Sequence, residues 1–81
     1  MNAKKGIKVS FEYDGVQYSL PIIEIIKYKN YSWIGELGNV GDVYFAVHGD
    51  LENGIPMMKN LKVQYDGFGI HGYMDDVSFE C

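Results

Sequence analysis

The chain has 81 residues, 9.2 kDa, 47% hydrophobic and 22% charged residues and a formal net charge of −4. This composition is that of a folded chain, with room for one β domain across 1–81 and nothing appended. It contains no Arg and no apolar run of about 18 residues, which excludes an arginine-based phosphate or nucleic-acid reader and a membrane-spanning helix.

Met1-Asn2-Ala3-Lys4-Lys5 leads into no apolar stretch, so no secretion signal is expected. Lys8 to Tyr13 then alternates polar and apolar residues with the strand period of two. Asp14-Gly15 follows, a dipeptide suited to a two-residue turn in which both residues take positive φ. Val16 to Leu20 alternates again. Pairing across that turn sets Tyr13 opposite Val16, Phe11 opposite Tyr18 and Val9 opposite Leu20, all on one face.

Pro21 to Tyr28 has two readings. Ile22, Ile23, Ile25 and Ile26 would serve a helix over about 20–29 with Pro21 in its first turn. Their β-branching favours a strand buried on both faces. Lys29-Asn30 reads as a turn, Tyr31 to Leu37 as a short strand, and Gly35, Gly38 and Gly41 as loop punctuation. Asp42 to His48 alternates with Val43, Phe45 and Val47 inward. Gly49 to Gly54 is turn chemistry, and Pro56 predicts irregular backbone after it. Leu61 to Tyr65 alternates into Asp66-Gly67, a second hairpin signal 52 residues beyond the first; hairpin chemistry alone accounts for the likeness. Phe68 to Met74 is interrupted by glycine, Asp75-Asp76 turns, and Val77 to Glu80 ends as a strand.

Short strands with turns at this spacing predict an all-β fold: an antiparallel barrel or two-layer sandwich of about five to seven short strands, with an α+β fold as the alternative if 20–29 is helical. Cys81 is the sole cysteine and the last residue, so no internal disulfide forms and a reducing, cytoplasmic setting is expected.

Several chemical motifs fail on context. Gly67-Phe68-Gly69-Ile70-His71-Gly72 matches G-x-G-x-x-G, but the residues after it leave no space for the helix that would meet a pyrophosphate. Asp50 to Gly54 lacks the oxygen ligands a calcium loop needs at its fifth and twelfth positions, which are Gly54 and Leu61. His48 and His71 have no metal-ligand spacing, and no serine sits in a nucleophile elbow. No catalytic residue, cofactor or metal site is expected, and the chain reads as a non-enzyme.

Charge and aromatic surplus remain. Residues 1–40 carry five Lys against four acids; residues 41–81 carry two Lys against seven acids. The acidic half argues against nucleic acid and anionic membranes and favours a basic protein partner. Phe11, Tyr13, Tyr18, Phe45, Tyr65 and Phe79 fill inward positions, which leaves Tyr28, Tyr31, Trp33, Tyr44 and Tyr73 as surplus. Exposed Tyr and Trp suit protein interfaces. These five, with Asp42, Asp75 and Asp76, are the expected partner-binding residues. The expectation is a small acidic interaction protein that occludes a partner, of the inhibitor type that mobile elements direct against a host nuclease or defence complex. A glycan- or small-ligand-binding β module is the alternative reading. A homodimer is compatible with so small a core.

Overall fold

A computed structural model describes residues 1–80; Cys81, and the expectation placed on its thiol, lie outside the described residues. The described chain is all-β, with nine strands in two antiparallel sheets and no helix. The strands are β1 (Lys8–Tyr13), β2 (Val16–Pro21), β3 (Glu24–Lys29), β4 (Ser32–Val40), β5 (Val43–Glu52), β6 (Ile55–Pro56), β7 (Lys62–Gly67), β8 (Ile70–Met74) and β9 (Ser78–Glu80). A small sheet has the order β2-β1-β9. A larger one runs β3-β4-β5-β7-β8, with β6 added to the end of β5. The count exceeds the expected five to seven through the two-residue β6 and through β8, which forms despite its glycine.

The first hairpin has the register the alternation requires, including Val9 with Leu20, Phe11 with Tyr18 and Tyr13 with Val16. Asp14 and Gly15 both take positive φ (52° and 76°), as a tight turn matching the strand twist demands. Val9 and Phe11 point into the core and meet Phe45 and Val47 of β5, Val63 of β7 and Trp33 of β4 in one buried cluster. Phe11 and Phe45 lie 4.9 Å apart between ring centroids, with Tyr18 and Tyr13 packed on the same Phe45 ring at 5.6 and 5.3 Å.

The isoleucine-rich segment is a corner followed by an edge strand. The Ile22 N–H donates to the Ile7 carbonyl at 2.9 Å, which continues the small sheet. The next N–H, that of Ile23, donates to the Glu36 carbonyl at 2.8 Å, which belongs to the large one. Ile22 is buried at this crossing. β3 is not buried on both faces as its composition predicts: it pairs only with β4, and of its side chains only Ile25 is partly covered. β-branching favours extended backbone wherever the strand lies and does not specify a central position.

Three glycine readings change. Gly35 and Gly38 lie inside β4 rather than in a loop, and Gly38 (φ +91°) sits at a register shift opposite Phe45. β5 continues through Gly49 to Glu52, so the turn contracts to Asn53-Gly54, and Ile55–Pro56 pairs back on β5. The second hairpin turns at Phe68-Gly69, not at Asp66-Gly67; Asp66 pairs with His71 and Gly67 with Ile70. That register puts Gly72 opposite Tyr65, where a Cβ would lie 2.5 Å from the phenol oxygen. Only glycine lets the Tyr65 ring lie flat there, so ring packing outweighs the turn preference of Asp-Gly. The likeness of the two Asp-Gly segments therefore does not extend to their turns, and the G-x-G-x-x-G stretch is the tip of this hairpin.

Candidate functional site

Burial of Trp33, Gly35, Val43, Phe45, Val47 and Val63 fixes which face of the large sheet is inward. By alternation, the other face presents three cross-strand rows. Ile26, Ile34, His48 and Lys62 form the first row. Glu24, Glu36, Ala46, Gln64 and Tyr73 form the second, and Asn39, Tyr44, Asp66 and His71 the third.

His48 is the centre of this face. Its Nε2 lies 2.8 Å from Gln64 Oε1, so the tautomer protonated at Nε2 donates to the amide oxygen. The edge of its ring meets Tyr73 at 5.5 Å on one side and Tyr28 at 6.2 Å on the other, both nearly perpendicular. Tyr28 reaches it from the bulge between Lys27 and Lys29 in β3, with Lys29 Nζ 5.2 Å from the phenol ring in cation–π range. Tyr28 and Tyr73 remain 55% and 59% exposed, and Ile26 beside them is also exposed. Ala46 points outward yet is buried, because Glu36, Gln64, Tyr44 and His48 around it are all longer. Burial first, and then the nearby Glu36 carboxylate, raise the Tyr44 phenol above the ordinary tyrosine value of 10.0.

The surplus residues separate. Tyr28, Tyr44 and Tyr73 share the outer face. Tyr31 is exposed at the β3–β4 turn, where its carbonyl accepts the Leu51 N–H at 2.8 Å. Trp33 is a correction. It is 0% exposed, inward on β4, and its Nε1–H donates to the Met57 carbonyl at 2.8 Å. Its indole occupies the space above Gly49 and Gly35, where a Cβ would come within 2.6 and 2.8 Å of ring atoms. Trp33 is therefore a core residue and no partner anchor. Asp42 lies at the β4–β5 turn, while Asp75 and Asp76 follow β8. Asp75 faces Lys62 at 4.0 Å, an exposed pair of little energetic weight.

His48, Gln64, Ile26 and Ile34 are the members of the face that the sequence reading left out. Their signal is the outward phase of the alternation: residues one position away from the inward set on four neighbouring strands. Among the described residues, no group of three or more His, Cys, Asp or Glu is placed to hold a metal ion. No helix among them is long and apolar enough to cross a membrane. Comparison of the chain with family models, curated proteins and solved structures finds no match. The outer face must be read from its own geometry.

Proposed function

We propose that this chain is a non-enzymatic interaction protein that binds and occludes a partner protein through the outer face of its large sheet. The observation that carries this reading is the Tyr28–His48–Tyr73 cluster: two exposed phenols packed nearly perpendicular to one histidine, with exposed Ile26 alongside. Rings held by neighbours lose little conformational freedom on docking, and tyrosine offers an apolar face with a polar tip. The role is steric, as in a small inhibitor, and the chain's net charge of −4 favours a basic partner surface.

Site-specific photo-cross-linking in cells of the source organism tests this. A cross-linker placed at position 73 or 28 should trap one discrete partner. The same group at Ser10, on the outer face of the small sheet, should not. Tyr73→Ala should weaken the complex by about 1–2 kcal/mol, the scale of an interface anchor. Trapping from position 10 alone, or complex formation indifferent to both Tyr28→Ala and Tyr73→Ala, would remove the outer face from consideration.

A further inference from the structure

A second site lies where the two sheets gape at the tips of hairpins β1–β2 and β7–β8. A cleft of about 650 Å³ opens there, lined by Tyr13, Tyr18, Tyr65 and Phe68 and, at the β1–β2 turn, by Asp14. Its volume falls in the range of ligand pockets. Tyr13 and Tyr65 meet at 5.0 Å between centroids with an interplanar angle of 51°, forming a bent aromatic floor.

Phe68 is the feature that calls for an occupant. It takes φ +54° at the first position of a two-residue turn. In the other two turns whose two residues both take positive φ, the equivalent positions are filled by Asp14 and Asn53, which adopt this geometry at little cost. A bulky residue there is a genuine outlier, and such strain clusters at functional positions. Nor does burial compensate for it, because Phe68 is 75% exposed, with Ile70 and Val16 exposed beside it.

Charge at this end has one sign. Asp14 lines the cleft, Asp42 stands at the adjoining β4–β5 turn, and neither has an ion pair among the described residues. Every lysine lies away from it. Lys8 pairs with Pro21 and Glu80, Lys27 with Trp33, Lys29 with Ser32 and Lys62 with His48; Lys4 and Lys5 precede β1, and the Lys59 carbonyl accepts the Asp50 N–H. A cleft of π faces with an acidic rim is complementary to an organic cation, above all a planar guanidinium that stacks on rings.

We propose that this cleft receives an arginine side chain presented by a protein partner, stacked between Phe68 and the Tyr13–Tyr65 floor, with its charge directed to Asp14 and the Asp42 turn. The cleft is separate from the outer face and is tested without the partner.

The test is NMR titration of the isotopically labelled full chain with acetyl-Gly-Arg-Gly-amide, and with the same peptide carrying citrulline, the neutral isostere of arginine. The arginine peptide should shift the amides of Tyr65, Phe68, Ile70 and Val16, and added salt should weaken it. The citrulline peptide should bind at least about fivefold more weakly. Asp14→Asn with Asp42→Asn should erase that preference. Phe68→Asn, which suits the turn and keeps the hairpin, should weaken the arginine peptide about threefold. Equal binding of the two peptides would overturn the proposal, as would shifts confined to Tyr28, His48 and Tyr73. Cleft shifts produced by tetramethylammonium or a neutral sugar, with none from the arginine peptide, would also overturn it by assigning the cleft to a free small ligand.

Discussion

Trp33 and Tyr65 both rest on glycine, on different strands of the same sheet, and the two seats behave differently. Trp33 is enclosed: Gly49 and Gly35 vacate the space its indole fills, the Met57 carbonyl takes its one N–H, and no ring atom meets water. Tyr65 lies over Gly72 in the same manner, yet its ring is partly exposed and forms the floor of the open cleft. A glycine inside a strand thus serves a ring in both places. Enclosure decides whether that ring stabilises the fold or remains available to a ligand.

Removing the enclosed ring should have the largest effect. Trp33→Ala is expected to cost about 3–5 kcal/mol, since it deletes a fully buried aromatic and leaves the Met57 carbonyl without its donor. Denaturation followed by far-UV circular dichroism measures this, as the chain's only Trp is lost as a fluorescent probe. A loss under about 1 kcal/mol would mean the indole is not the keystone its burial implies.

Filling the two seats comes next. Gly49→Ala sets a methyl within 2.6–2.8 Å of three indole atoms that have no room to retreat, and should destabilise by about 1–3 kcal/mol. Gly72→Ala meets the Tyr65 ring at comparable distances, but that ring can swing toward the cleft, so its cost should be near the lower end. In the Tyr65→Ala background the Gly72→Ala penalty should vanish, a coupling that a double-mutant cycle reads directly. Equal penalties for the two glycines would erase the distinction between closed and open seat.

These same glycines mark where sequence reading reached its limit. Alternation and Asp14-Gly15 prescribe the first hairpin completely, because turn chemistry, period and core face agree on one register. Val43, Phe45 and Val47 were legible inward for the same reason. Gly35 and Gly49 were read as loops because in isolation glycine favours turns; their partner, the Trp33 ring, comes from β4 itself and from across the β4–β5 pair. Without those cross-strand contacts in view, Trp33 reads as surplus. The Asp66-Gly67 turn failed for a non-local cause as well, the Tyr65–Gly72 contact that only cross-strand pairing creates. The outer face was half legible. Its tyrosines stood out as excess, but His48 joins them only through the bulge that aims Tyr28 and the β7–β8 register that brings in Tyr73.

The tip of the open seat should yield a gain. Phe68→Asn relieves a bulky residue held at positive φ, and should raise stability by about 0.5–1 kcal/mol while emptying one wall of the cleft. A thermal-melting increase of a few degrees, about the shift that such a gain produces in a domain of this size, measures it. A decrease would show that Phe68 packs on the hairpin more tightly than its exposure indicates.

The smallest expected effect belongs to a ring without a glycine seat. Tyr44 stands on the outer face, and its phenol is raised above 10.0 by burial and then by Glu36. The unfolded chain releases that proton near the ordinary tyrosine value, about 10, while the folded chain holds it to higher pH. The contribution is therefore fully present below about pH 10 and is lost as pH rises through the folded-state value. Urea midpoints at pH 9 and pH 11 (about one unit either side of the ordinary tyrosine value) should fall further for the wild type than for Tyr44→Phe, the other tyrosines being common to both. Glu36→Gln should lower the folded value only slightly, because its charge is the lesser of the two causes. Parallel alkaline losses in wild type and Tyr44→Phe would mean that the outer face leaves this ring as wet as any surface tyrosine.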